Sequence, residues 1–349
     1  MTANGLVIRG ETFKLGWSPE SSYGIDPGTS AYTRVFGVVQ SATMPDPVID
    51  FQPFWTLGTA SSRNWYIAYK GKMVLSGSIP DIILLDGRIL SLGIGNVSNS
   101  SGSPYTHTIT ESTTLPSIAL HVTYDDSSGT VKLMRRFFGG KVSRMTIEAS
   151  EGDFLKCAMD EIAFVDWSHD QAGEPKYASG VADVTLSYPT SQPYLFSYGS
   201  LSLGGTTFAR IRNFRLEISN NLEPKYYITT TAVGSNQLPY EYREGHREYR
   251  LAVTVDIEDA SLYKELIRQG TYSTVYKGFQ FIATFTRGVN DTITMTMPTT
   301  TPAAGGDAMG CLITRAPHNI VTDPVVSVPL DIIGRNLGIV VVDSNTTYP

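Results

Sequence analysis

The residues from 148 to 167 form the densest group of side chains that could do chemistry. The segment EASEGDFLKCAMDEIAFVDW carries one lysine, Lys156, and six acidic residues: Glu148, Glu151, Asp153, Asp160, Glu161 and Asp166. Such carboxylates could serve as general acids and bases, bind a metal ion, or form a wall that repels an anion. The remaining interpretation is an ordinary strand face covered by water.

Catalysis and metal binding are the weakest of these interpretations. On one regular strand Glu151 and Asp153 can share a face, whereas Asp160 and Glu161 cannot. A calcium loop needs a denser and more regular series of oxygen ligands. The sequence has no HExxH, Cys/His zinc spacing, GxSxG or P-loop. Carboxylate pairs of the glycosidase type can lie far apart in sequence, so that class stays open. We predict no catalytic residue, no metal site and no cofactor.

Alternating side chains predict the elements that position these acids. In FRLEIS, residues 214–219, apolar and polar side chains alternate, and YRLAVTVDI, residues 249–257, repeats the pattern. Both are typical of half-buried strands. DASLYKELIRQG, residues 259–270, has helical spacing with Asp259 as cap and Gly270 as stop. RILSLGIG, residues 88–95, predicts a shorter helical or turn segment. The predicted fold is therefore mainly β.

The chain has the same outline twice. Each half ends in a long hairpin with a similar apolar-acid ending, AFVDWS and IVVVDS. DQAGEPKYASG between the halves is rich in Gly, Pro and polar residues and reads as a linker. We predict an N-terminal arm at 1–34, a first domain at 35–170, a linker at 171–190 and a second domain at 191–349. This interpretation makes the chain an internal duplication.

Composition limits the function classes. The chain has 349 residues, is 41% hydrophobic and only 17% charged, and carries a net charge of −6. The negative charge argues against a protein that coats nucleic acid. The sequence has no run of about 18 apolar residues, so we predict no membrane insertion. Its two cysteines are compatible with folding in a reducing cytoplasm.

Several phrases resemble the major tail tube proteins of long-tailed phages. The second half carries SLSLGGTTFARIRNFRLEISNNLEPKYYI, followed by EYREGHREYRLAVTVDIEDASLYKELIRQG. The first half carries MVLSGSIPDIILLDGRILSLGIG and FFGGKVSRMTIEASEGDFLKCAMDEI. The resemblance covers most of residues 35–342. It implies two tandem tube-type β-sandwich or rolled-sheet domains, each with a short flanking helix.

The resemblance also implies an assembly. Tube domains join edge to edge into a ring, and rings stack into a conduit for DNA ejection. Two domains per chain favour a trimeric ring with pseudo-sixfold symmetry, and a hexameric ring is the alternative. Expected partners are the tape-measure protein and DNA in the lumen, with tail terminator and tail-tip proteins at the ends. The protein would reside in the virion tail and assemble in the host cytoplasm.

Site predictions follow from this assembly. Glu151, Asp153, Asp160, Glu161 and Asp166 are predicted to line the lumen, where negative charge keeps DNA from binding. Contacts between subunits or rings are predicted for seven residues: Trp17, Tyr23, Tyr32, Arg243, Glu244, Arg247 and Glu248. Rival functions are a tail-tip or distal tail ring protein, and a β-sandwich carbohydrate-binding or depolymerase protein.

Overall fold

The computed structural model describes most of the chain. The described residues are 13–55, 64–125, 131–167, 184–204, 206–208, 211–228, 237–256, 278–302, 310–317 and 327–349. They are mainly β, as predicted, and form several antiparallel sheets.

Twenty-one strands follow one another along the described residues. Those of the first half are β1 Phe13–Pro19, β2 Val38–Thr43, β3 Pro47–Phe54, β4 Ile67–Ile83, β5 Gly95–Asn99, β6 Tyr105–Glu111, β7 Ile118–Asp125, β8 Val131–Ser150, β9 Lys156–Phe164 and β10 Asp166–Trp167. Those of the second half are β11 Gly199–Leu203, β12 Thr206–Phe208, β13 Ile211–Ser219, β14 Glu223–Lys225, β15 Glu241–Arg243, β16 Glu248–Asp256, β17 Phe281–Gly288, β18 Asp291–Met297, β19 Leu312–Arg315, β20 Ser327–Gly334 and β21 Gly338–Asp343.

The largest sheet, here called the central sheet, has a path of eight strands in the order β19-β20-β16-β13-β8-β9-β4-β2. Every neighbouring pair along this path is antiparallel. The strand β3 continues the line of β2 along the other end of β4. The 20-residue β8 changes partners near Gly139, where φ is 64°. Its first part pairs with β7 and its second part with β9 and β13.

A second sheet of seven strands packs on the central sheet. Its order is β12-β11-β17-β18-β21-β6-β5. Buried side chains from both sheets form one apolar core, in which Phe214 of β13 lies 5.6 Å from Phe285 and 6.4 Å from Phe281 of β17 between ring centroids. Such burial is the main source of stability in a two-layer β fold.

Helical structure is scarce in the described residues. Three short 3-10 turns, Thr29–Ala31, Arg88–Leu90 and Phe196–Tyr198, accompany one α-helix, α1, at Ser91–Ile94. The short helical segment predicted at 88–95 is thus a 3-10 turn followed by one turn of α-helix, and residues 89–95 are buried. The helix predicted at 259–270 lies outside the described residues.

The two halves of the sequence share both sheets. In the central sheet β13 of the second half pairs with β8 of the first half. In the second sheet β21 pairs with β6. The division at 171–190 and the duplication stay predictions, and residues 168–183 of the linker lie outside the described residues.

The described part of the predicted N-terminal arm is integrated into its own chain. The strand β1 pairs with β7 through seven residues, and the Trp17 indole donates a hydrogen bond to the carbonyl of Val35 at 3.1 Å. The Tyr32 hydroxyl donates to Asp26 at 2.9 Å, and Arg136 donates to the same carboxylate at 2.7 Å. Strand pairing and burial therefore hold the described residues 13–34 against their own chain, and the arm at 1–34 stays a prediction.

Candidate functional site

The two faces of the central sheet carry different side chains. In β13, Phe214, Leu216 and Ile218 are buried in the core, as the alternation predicted. Arg215 and Glu217 lie between them and therefore point to the opposite side. The strand β16 repeats the pattern. We call this opposite side the polar face.

One row of paired residues crosses the whole polar face. Directly paired residues of neighbouring antiparallel strands point to the same face. The row runs Val38, Ile83, Lys156, Glu148, Arg215, Ala252, Asp331, Arg315, from β2 to β19. This row connects all eight strands, and charges of opposite sign meet at several neighbouring positions along it.

The acids of the polar face are paired with bases on adjacent strands. Glu148 lies 3.8 Å from Arg215, and Glu161 lies 3.9 Å from Arg144. These side chains are about half exposed, so each pair adds little to stability, on the order of 0–1 kcal/mol. The surface is a mosaic of both signs rather than an acidic stripe. The sequence-based interpretation missed the bases because it considered one segment in isolation.

A β-bulge at Asp160 interrupts the regular alternation under which Asp160 and Glu161 could not share a face. Arg144 pairs with Glu161, and the next residue, Met145, pairs with Met159, so Asp160 is an extra residue in β9. The Thr146 hydroxyl donates to Asp160 at 2.6 Å, and Arg144 pairs with Glu161. Both acids therefore lie on the polar face, because the bulge resets the alternation.

The remaining predicted lumen residues lie elsewhere. Glu151 is exposed and Asp153 half-buried, in the turn between β8 and β9 at one end of the sheet. The Lys156 ammonium, 2.7 Å from Asp153, lowers the pKa of that carboxyl, and Asp153 raises the pKa of Lys156. Asp166 lies on β10, which pairs with the part of β8 that precedes Gly139. The lumen role of all five acids stays a prediction.

The predicted contact residues divide into buried and exposed sets. Trp17 and Tyr32 are fully buried in their own chain, and Tyr23 is half-buried with its oxygen accepting the Tyr242 N–H at 3.2 Å. Arg243 pairs with Glu241 at 2.8 Å and Glu248 with Arg250 at 3.3 Å, both at the surface.

Glu244 and Arg247 make contacts inside the subunit. Glu244 accepts hydrogen bonds from Lys141 at 2.8 Å and from the Leu115 N–H at 3.0 Å. Burial pushes the pKa of Glu244 upward, but these hydrogen bonds outweigh it and lower the pKa. Arg247 donates to Asn220 at 2.8 Å and to the Ser112 carbonyl at 3.2 Å. A role of Glu244 and Arg247 in contacts between subunits stays a prediction.

A buried polar cluster closes one end of the second sheet. His107 Nδ1 lies 2.6 Å from Asn99 Oδ1, and Nε2 lies 3.2 Å from Asp343. The Tyr348 ring stacks on the imidazole at 3.8 Å, and its hydroxyl donates to Asp343 at 2.5 Å. His107 and Asp343 are fully enclosed, so the cluster ties the C-terminal segment to the first half.

Other reactive groups are few within the described part of the chain. Cys157 and Cys311 are buried, and burial raises the pKa of the Cys157 thiol. Among the described residues, His, Cys, Asp and Glu side chains form no group of three that could hold a metal ion.

Large exposed hydrophobic side chains of the central sheet are confined to its two margins. Val38, on the edge strand β2, is 44% exposed, and Ile333, on β20 beside the edge strand β19, is 46% exposed. Others lie on β3 and the adjoining part of β4. Among the described side chains of the four strands between these margins, β9, β8, β13 and β16, none is large, hydrophobic and exposed. Both edges therefore resemble surfaces that a partner covers.

A comparison with protein families decides the class of protein. The family model of phage tail tube proteins matches residues 14–332. The chain belongs to this family. No curated protein matches it. Family membership makes it a structural protein of the virion tail that assembles with itself into a tube, a non-enzymatic role. In the described part of the tube protein no helix is long and apolar enough to cross a membrane.

Proposed function

We propose that three copies of this tube protein close into a ring through the edges of the central sheet, and that rings stack into a conduit for DNA. The observation that supports this is the eight-strand path with two edge strands, β2 and β19, which pair with no further strand among the described residues. Exposed edges are a liability that ring closure removes.

Strand direction favours a head-to-tail contact. Because the eight strands alternate in direction, β2 and β19 run oppositely. The β19 edge of one copy can therefore pair with β2 of the next in the antiparallel sense used throughout the sheet. The row that ends at Val38 and Arg315 gives this contact a register.

The size of the bore favours three copies over six. Three copies of the eight-strand path give 24 strands. With strands about 4.8 Å apart and tilted by about 40°, the wall has a radius of about 24 Å. Side chains on the order of 6 Å long leave a bore about 35 Å wide, which admits a DNA duplex. Six copies would double the radius to about 48 Å.

The polar face is the surface that suits the bore. In a closed ring the apolar core must stay between the two sheets, so the polar face turns inward or outward as a unit. Interleaved charges hold water and offer phosphate no continuous basic track, which limits the counterion release that would bind DNA. Here Asp160 and Glu161 face the DNA, and Glu151 and Asp153 lie at the rim.

The same proposal includes the partners of the tube. DNA and a tape-measure protein pass through the bore, and terminator and tip proteins cap the ends. Assembly takes place in the host cytoplasm.

Electron microscopy of the purified protein tests the proposal. The expected image is a stack of rings with threefold subunit symmetry and a bore about 35 Å wide. Single rings that never stack would indicate a tip or distal tail protein. Monomers at every concentration, together with glycan binding or cleavage, would favour the carbohydrate-active alternative and overturn the proposal.

Charged substitutions at the edges give a matched test. Val38→Lys with Ile333→Lys places unpaired charge in the contact between copies, so ring formation should fall at least tenfold, because like charges repel and must lose water. Thr254→Lys on the middle strand β16 adds one such charge away from both edges and should leave ring formation unchanged. Equal assembly of all variants would contradict edge pairing.

A further inference from the structure

A two-stranded ribbon, here called the ribbon arm, extends from one edge of the central sheet. It comprises residues 47–55 and 64–74, where β3 pairs with the first part of β4. Pairing of β4 with β9 begins only at Leu75, so the ribbon arm runs past the end of β9. Its exposed aromatic side chains include Trp55 at 66%, Trp65 at 56% and Tyr66 at 66%.

The ribbon arm is held rigidly at its base. The Tyr226 hydroxyl donates to the Met73 carbonyl at 3.1 Å, and the Gln237 side chain donates to the Lys70 carbonyl at 3.0 Å. The Lys72 ammonium lies 4.8 Å from the centroid of the Tyr226 ring. A rigid element loses little conformational entropy when it binds.

The face of the ribbon arm that continues the polar face exposes large hydrophobic side chains beside the polar pair Asp50 and Gln52. Val48 pairs with Val74, and Phe54 with Ile67, so the members of each pair share a face. The Tyr69 ring packs edge-on against Phe54 at 5.7 Å. All five side chains are exposed. Over the central strands the same face carries Arg215 and Glu148. The exposed side chains of this face therefore change from charged to largely hydrophobic where the ribbon arm begins.

An apolar groove lies at the other end of the same edge. It has a volume of about 550 Å³ and runs along β2 beneath β1 and β7. Its lining includes Phe13, Leu15, Val39, Ala42, Met44 and Tyr124. The groove is large enough to receive aromatic side chains, and aromatic and methionine contacts suit such an occupant.

From these two features we infer that the ribbon arm of one copy docks into the groove of a copy in the adjacent ring. The inference rests on the proposed function. The ribbon arm and the groove lie at opposite ends of one strand line, 38–54, which runs along the wall. A contact between two different surfaces at opposite ends of the wall repeats along the tube axis and does not return to the first copy, so it generates a filament. The occupant is therefore another copy of this chain.

A cysteine pair tests the contact directly. Phe54→Cys and Met44→Cys, combined in one chain, are separated by ten residues of extended strand, about 30 Å. A disulfide needs Cα atoms within about 7 Å, so these two cysteines cannot bond within one chain. Cys157 and Cys311 are buried and do not compete. Oxidised tubes should give a ladder of covalent multimers on a denaturing gel, whereas each single variant should give dimers at most.

The outcomes separate this inference from the proposed function. Tubes without a ladder overturn the docking contact and leave the tube function intact. A wild-type protein that forms no rings overturns the proposed function itself. A ladder that appears equally in the unassembled Val38→Lys/Ile333→Lys variant would also overturn docking between rings, because the link would then form without stacking.

Truncated side chains give a second, independent measurement. Phe54→Ser with Tyr69→Ser should leave rings intact and shorten stacks at least tenfold in mean length. Tyr198→Ser, at a tyrosine that is 63% exposed and outside the ribbon arm, is the matched control and should leave length unchanged. Stacks of equal length in both variants would contradict the inference, and electron microscopy measures the lengths.

Discussion

The two faces of the central sheet differ in what each side chain contributes. On the core face Phe214, Leu216 and Ile218 are buried against the second sheet, and their contacts fix the fold. On the polar face Arg215 and Glu148 are about half exposed and pair weakly. The comparison shows that alternation along one strand places residues that stabilise the fold on one face and residues that are available for function on the other.

The largest expected loss of stability comes from a substitution on the core face. Phe214→Ala removes a ring that packs on Phe281 and Phe285, and should lower the free energy of unfolding by about 3–5 kcal/mol. Its neighbour Arg215→Ala should cost less than about 1 kcal/mol. Urea unfolding of the Val38→Lys/Ile333→Lys subunit, which should stay unassembled, measures both. Equal losses would show that the two faces do not differ as described.

A smaller effect tests a charge pair that is largely shielded from solvent. Glu244→Gln weakens the bonds to Lys141 and Leu115 and should cost about 1–3 kcal/mol at pH 7. Because folding lowers the pKa of Glu244, its contribution is present above the unfolded value near 4.5 and disappears as pH falls through the folded value. The difference between wild type and variant should therefore shrink below pH 4.5. Glu248→Gln, at an exposed pair, is the control and should change little at either pH.

The polar face should respond in function rather than in stability. Glu161→Lys adds positive charge to the proposed bore, and each added phosphate contact strengthens the salt dependence of DNA binding by about 0.9 in the logarithmic slope. DNA ejection at low salt should slow by about tenfold while rings stay intact. Glu223→Lys on β14, off the central sheet, makes the same charge change and should leave ejection unaffected. Loss of rings in Glu161→Lys alone would make this residue a subunit contact.

The smallest expected effect concerns the ion pairs of the polar face. A double-mutant cycle on Arg215→Ala and Glu148→Ala should give a coupling energy below about 1 kcal/mol that falls further with added salt. A coupling of several kcal/mol, independent of salt, would mean that this face is desolvated within the subunit and is not a water-covered wall.

Periodicity predicted the strands well but not their neighbours. The alternation in residues 214–219 and 249–257 gave β13, β16 and the buried set of β13. It could not reveal that β13 pairs with β8 across the two halves, because strand pairing depends on contacts far apart in sequence. Nor could it show the bulge at Asp160, since an inserted residue breaks the period on which the prediction rests.

The burial of aromatic residues could not be predicted from the sequence. Trp17 and Tyr32 lie in the segment predicted to be an N-terminal arm, yet both are buried in their own chain. Phe54 and Tyr69 lie in segments that resemble ordinary strands, yet both are exposed. Composition gives the propensity of a segment, whereas burial depends on which elements pack against it.

The alternating directions of the eight strands have a consequence for the polarity of the tube, that is, for the difference between its two ends. Turning a subunit upside down about an axis through the wall exchanges its two edges and reverses every strand, which restores the same sequence of directions. Backbone hydrogen bonds of the wall would therefore accept an inverted neighbour. In a tube built from this subunit, the difference between the end toward the capsid and the end toward the host must therefore depend on side-chain contacts. In the proposed tube, the side chains that set this polarity lie at the two unlike ends of the strand line 38–54, which are the groove and the ribbon arm.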